Sequence, residues 1–129
     1  MSFTRVGVDR QRVGAKAEER ACAHLQDQGL QLVQRNYRVA RGPHAKGGEI
    51  DLIMRDRDGT LVFVEVRSRA SASHGGAGAS VGALKQRRIV HAAQTFLLRF
   101  AHCPPCRFDV VAVEGDQLQW WPGAFEASS

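Results

Sequence analysis

The chain is poor in cysteine and proline and has no long apolar run. Three cysteines in 129 residues, Cys22, Cys103 and Cys106, are too few and too unevenly placed for a disulfide framework. No stretch approaches the roughly 20 apolar residues that span a bilayer, and the opening MSFTRVGVDRQRV lacks the apolar run of a signal peptide. These absences predict a cytoplasmic protein with no membrane contact. The glycine-rich SHGGAG (73–78) lacks a following G-K-[ST], which excludes a phosphate-binding P-loop. There is no internal repeat. What is present is the composition of an ordinary globular protein, 43% apolar and 24% charged, with a length that predicts one domain over residues 1–129. A formal charge of +5 permits a polyanionic partner without requiring one.

Periodicity supplies the elements. Residues 1–10 read as a loose arm. From about Gln11, Val13, Ala17, Ala21 and Leu25 recur at helical spacing up to Gly29, a natural stop. LQLVQRNYRV (30–39) reads as a strand, and RGPHAKGG (41–48), with Arg41, His44 and Lys46, as a loop. EIDLIM and TLVFVEVRS are two strands joined by the turn RDRDG. After the small-residue loop SASHGGAGA (71–79), Ser80 caps a helix running to about Phe100. RFDVVAV (107–113) and QLQWW (117–121) are the last strands. The order α-β-β-β-α-β-β predicts an α/β fold, a central mixed sheet flanked by helices.

The middle hairpin carries an anomaly: Asp51 and Glu65 stand inside its most apolar sequence. A type I turn closed by a left-handed glycine fits Arg57, Asp58 and Gly59. In that register Asp56 pairs with Thr60; counting back, Ile53 faces Phe63, Asp51 faces Glu65 and Glu49 faces Arg67, and these last three pairs share one side of the sheet. A two-residue loop at Asp58-Gly59 would reverse the parity and separate the acids. Opposed carboxylates repel and raise each other's pKa unless a cation intervenes. A divalent ion with oxygen ligands suits such a pair and could activate water against a phosphate. The competing reading makes Asp51 and Glu65 ordinary charges on the solvated face of an amphipathic sheet.

GEIDLI…LVFVEVRSR, followed by K…RI…A and RFDVV, resembles the YraN-type family of small bacterial proteins, from GAKAEERACAHL to WWPGAF. Such proteins are placed by fold with the PD-(D/E)xK nucleases, near the Holliday junction resolvases. The resemblance implies a restriction-endonuclease-like core and Mg²⁺- or Mn²⁺-dependent cleavage of DNA, with branched or flap DNA as candidate substrates. It implies Asp51 and Glu65 as metal-binding and catalytic acids, assisted by Glu18, with Glu49 a further ligand or a partner of Arg67. Resolvase relatives act as dimers, which implies a homodimer. The chain departs from the motif at Arg67, where lysine is usual. Arginine stays charged and cannot act as a general base, but it can hold a phosphate. An alternative is therefore a nucleic-acid-binding module on the same fold without catalysis. A third reading is a structural protein whose acids only solvate the sheet.

Lys85, Arg87 and Arg88 open the second helix and could meet phosphates. Lys85 matches a recurring family lysine; with Arg69 it is a candidate substrate contact, whereas Arg87 reads as solvated. His102, Cys103 and Cys106 form H-C-x-x-C without a second cysteine pair, so a reduced pair in a helix-ending loop is favoured over zinc. Cys22 or His44 would be needed to complete a ligand set. Of Trp120 and Trp121, alternation sends one toward the core.

Overall fold

The computed structural model describes residues 5–40, 47–68 and 81–127. It contains α1 (Arg5–Asp27), β1 (Gln31–Val39), β2 (Gly48–Arg55), β3 (Leu61–Ser68), α2 (Ala83–Leu97), β4 (Cys106–Glu114) and β5 (Gln117–Phe125). The α-β-β-β-α-β-β order is the one expected. The strands lie in sequence order across one sheet. All neighbours are antiparallel except β3 and β4, which run parallel and are linked by α2.

A helix covers each face. On one side, Ala17, Ala21, Cys22 and Leu25 of α1 pack against Leu52, Met54, Val62, Val64, Val111 and Val113. On the other, Ile89, Ala92, Ala93 and Phe96 of α2 pack against Ile53, Leu61, Phe63, Phe108 and Val110. Burial on both faces explains why β3 reads LVFV without polar alternation. The two tryptophans divide between the faces: Trp120 joins the α1 side and Trp121 the α2 side.

Three boundaries differ from the sequence reading. Residues 5–10 belong to α1 rather than to an arm; only the backbone of residues 5–13 is described, so the side chain of Val13 is not. The cap position of α2 is Gly82, with no side-chain cap, and Ser80 lies outside the described residues, as do Arg41, His44, Lys46, Arg69 and the 71–79 loop. Strand β5 continues four residues past Trp121, through Pro122, to Phe125. Pro122 is tolerated because β5 is an edge strand. Gly29, at φ 102, ends α1 as expected, with the Leu30 amide donating to the Leu25 carbonyl at 3.0 Å.

One glycine fixes how closely α2 approaches the sheet. A β-carbon on Gly48 would lie 2.5 Å from the Arg88 carbonyl oxygen and 3.0 Å from the Ala92 β-carbon. A helix backbone cannot yield as a flexible side chain can. Gly48→Ala is therefore expected to lower stability by about 1–3 kcal/mol through overpacking. Urea denaturation checks this; a loss under roughly 0.5 kcal/mol would show that α2 shifts freely.

Candidate active site at the strand fork

The hairpin adopts the three-residue loop. Gly59 has φ 91, the Asp56 amide donates to the Thr60 carbonyl at 2.8 Å, and the Gly59 amide donates to the Asp56 carbonyl at 3.0 Å. The register pairs Ile53 with Phe63 and Leu52 with Val64, as read from the sequence. The next step in that register sets Asp51 against Glu65, and their carboxyls share a hydrogen bond.

The ladder ends at Leu52↔Val64, so β2 and β3 fork at the acids. The expected Glu49–Arg67 register step lies past the end of this ladder, and Glu49 Oε2 meets Arg38 Nε at 3.6 Å. Strict alternation also fails here. Ile50 and Ile53 pack into the same α2-side core, although they are three residues apart. The break has a visible cause across the sheet. Opposite Asp51, between the paired steps Arg35↔Leu52 and Tyr37↔Ile50, Asn36 lies at φ 49. Asparagine is one of the few side chains that enter this region readily. Asp51 thus occupies a twist in β2, and its Oδ2 accepts the Val66 amide at 2.8 Å, satisfying a donor freed where the ladder stops.

Neither acid stands on a solvated face. Glu65 is 8% exposed, on the side covered by α2, and Asp51 is half-buried. Burial first, and then the Asp51 charge, pushes the Glu65 carboxyl up to about 8, while Lys85 opposes the rise. Burial also raises Asp51, against the Val66 hydrogen bond. The first turn of α2 delivers Lys85 Nζ to within 3.6 Å of Glu65 Oε2. Arg67 and Lys85 line one cleft of about 290 Å³ with Glu65, Val81 and Gly82.

Glu18 projects from α1 toward the same region. It is half-buried whereas its neighbour Glu19 is exposed. Burial and the charges of Asp51 and Glu49 raise its pKa, and a hydrogen bond with Asn36 opposes this. Among the described residues, however, no three His, Cys, Asp or Glu side chains form a metal-sized group. The fork therefore offers two carboxyls with Glu18 outside them, not a closed three-acid cage. Cys103 and Cys106 are exposed while Cys22 is buried on the sheet-facing side of α1, and among the described residues these cysteines form no metal-sized group either.

Sequence reasoning did not single out Asp109. Its carboxylate is fully buried. Oδ1 accepts from Arg107 Nε at 3.0 Å and the Gly123 amide at 2.9 Å, and Oδ2 accepts from Trp120 Nε1 at 2.9 Å. Arg107 Nη1 continues to Asp56 Oδ2 at 2.9 Å. The available signal was a lone acid inside RFDVVAV, the same signal that drew attention to Asp51.

A mixed five-stranded sheet between two helices, with two carboxyls at the fork of its central hairpin, corresponds to the restriction-endonuclease-like order within the α/β class. More narrowly, the chain belongs to the uncharacterised protein family UPF0102, whose family model matches residues 17–113. A UPF0102 protein of Methylibium petroleiphilum is 64% identical over 116 residues, covering 90% of this chain and 95% of the relative. Another, of Paracidovorax citrulli, is 65% identical over 114 residues, covering 88% and 82%. A third, of Acidovorax sp., is 63% identical over 115 residues, covering 89% and 85%. The matched segment spans the fork, Lys85 and Asp109.

Proposed function

We propose that the protein is a metal-dependent endonuclease that hydrolyses DNA phosphodiesters, on branched or flap DNA. The observation that carries this reading is the Asp51–Glu65 carboxyl pair, held together at the fork with Lys85 and Arg67 beside it. Burial and mutual repulsion keep the proton affinity of both carboxyls raised even with Lys85 beside them, so the pair can take a further cation. Their number suits a hydrated Mg²⁺ or Mn²⁺, which takes one or two carboxylates and keeps several waters. Asp51 and Glu65 would hold the ion. When bound, it supplies charge neutralisation and a more acidic bound water.

The chain's own groups divide the remaining work. The Val66 amide fixes the Asp51 carboxylate. Lys85, at 3.6 Å from Glu65 Oε2, favours the ionised form of that carboxyl. Arg67, always charged, holds the scissile phosphate and stabilises charge developing on it; it takes no proton. Glu18 adds negative potential behind the pair without ligating.

The test is incubation of pure protein with branched, flap and single-stranded DNA, with and without Mn²⁺. Cleavage is expected only with the ion, and Asp51→Ala or Glu65→Ala should reduce it by roughly a hundredfold or more. If no substrate is cut, or if both variants cut normally, the nuclease reading fails. Salt-sensitive DNA binding that persists in EDTA without any cleavage would favour the non-catalytic binding module instead. Arg67 in the lysine position is what motivates that second reading.

A further inference from the structure

Beside the fork lies a second, larger cleft of about 590 Å³, whose lining includes Arg38, Gly47, Gly48, Glu49, Lys85 and Arg88. It contains three cations against one carboxylate. Lys85 also lines the smaller cleft at Glu65 and Arg67, so the two hollows meet at this one side chain. The larger one is bounded by β1 and β2 on one side and the first two turns of α2 on the other. Gly48 lets these surfaces close to backbone contact, which fixes the spacing between Arg38 on the sheet and Arg88 on the helix.

Arg38 is 72% exposed, and its partner Glu49 is 43% exposed at 3.6 Å. An ion pair this open contributes little and exchanges partners readily. Arg88 is exposed on the helix. Paired, fork-shaped guanidinium groups across a hollow suit phosphate oxygens better than any neutral ligand.

We propose that Arg38 and Arg88 form a phosphate-binding station for the nucleic-acid backbone, next to the acidic pair, so that one strand passes from this cleft over Lys85 to Glu65 and Arg67. The ligand is a phosphodiester chain, single-stranded or one strand of a duplex. The inference rests on reading the fork as a phosphodiester site, and it adds two residues and a path to that reading.

The experiment measures binding, not cleavage. A fluorescein-labelled single-stranded DNA oligonucleotide and its duplex are titrated with protein in EDTA, by fluorescence anisotropy, across a salt series. Each phosphate contact contributes about 0.7 to the salt slope on a single strand and about 0.9 on a duplex. Arg38→Gln with Arg88→Gln is expected to lower the slope by about 1.4 or about 1.8, respectively, and to weaken binding about tenfold or more near 0.1 M salt. Whichever DNA shows the loss identifies the form the station holds. Arg38→Lys with Arg88→Lys, which keeps the charge, should restore most of the slope. Lys16→Gln with Arg57→Gln, two exposed cations outside both clefts, makes the same charge change and should leave the slope nearly intact.

An unchanged slope in the Arg38/Arg88 variant, an equal loss in the Lys16/Arg57 variant, or no binding by the unaltered protein at 50 mM salt overturns the proposal. A slope that drops as expected in a protein that cuts nothing with Mn²⁺ sinks the nuclease reading and leaves the station standing. Manganese-dependent cleavage with an unaltered slope does the reverse.

Discussion

Metal-free protein is expected to lose stability as the pH rises from about 4.5 to about 8, and Glu65→Gln is expected to reduce that slope clearly. In this window the folded protein keeps the Glu65 proton, because burial and Asp51 hold the carboxyl up to about 8, whereas the unfolded chain releases it near 4.5. The native state then binds more protons than the unfolded one, so stability falls with rising pH. The contribution is complete below 4.5 and is lost as pH passes through 8. Its size is on the order of 3–5 kcal/mol. For a chain of this length a loss of about 3 kcal/mol lowers the melting temperature by roughly 10 °C.

Glutamine keeps the shape and can still donate a hydrogen bond to Asp51, but it cannot ionise. Thermal melts in EDTA at pH 5, 6.5 and 8 separate the two proteins: the variant's melting temperature should fall clearly less over this range, with a smaller residual slope of the same sign from Asp51 and Glu18, whose carboxyls burial also raises. Asp56 does not confuse the result, because its carboxyl is lowered, chiefly by hydrogen bonding to Arg107, and its effect lies at lower pH. A pH-independent melting temperature for the unaltered protein would refute the buried, proton-holding pair. The proposed metal makes the converse expectation. An ion that binds the ionised pair should raise the melting temperature more at pH 8 than at pH 5, by mass action on the native state.

Much of this site was legible in the sequence, because the features involved were local. Arg57, Asp58 and Gly59 define a short loop, the loop sets the register, and the register brings Asp51 to Glu65. The element order was legible for the same reason: each helix and strand carries its own period. What escaped depended on contacts between segments distant in sequence. Nothing near Asn36 announces a left-handed residue in mid-strand, since its value lies in the twist it allows opposite Asp51. Strict alternation therefore placed Glu49 opposite Arg67, past the point where the ladder ends. Lys85 is 20 positions from Glu65 and reaches it only because α2 returns across the sheet. A lysine thus stands beside Glu65, delivered by α2 and not by the strand that carries Arg67.

Asp109→Ala is expected to cost about 2–4 kcal/mol, the consequence of removing the one buried acceptor of a charge-assisted network whose donors are part-buried. The fully buried carboxylate accepts from Arg107, Trp120 and the Gly123 amide. Truncation removes the acceptor shared by three part-buried donors; Arg107 keeps Asp56 and the Gly123 amide lies near solvent, so the Trp120 indole N–H loses most, and an unsatisfied part-buried group costs about 1–3 kcal/mol. The damage should concentrate in β5. The β4–β5 register shifts between Phe108 and Val110, with Gly123 at φ 60 on the partner strand, so the Asp109 side chain holds the place where the ladder is interrupted. Trp120 fluorescence should change before global unfolding in urea, as its indole N–H loses its acceptor. Asp109→Asn keeps one acceptor oxygen and should cost less, about 1–3 kcal/mol. A loss below about 1 kcal/mol for alanine would show that β5 is held by apolar packing alone. The consequence reaches the fork, because β4 is the parallel neighbour of β3 and Val110 pairs with Glu65. A second buried acid thus anchors the strand that supports the first.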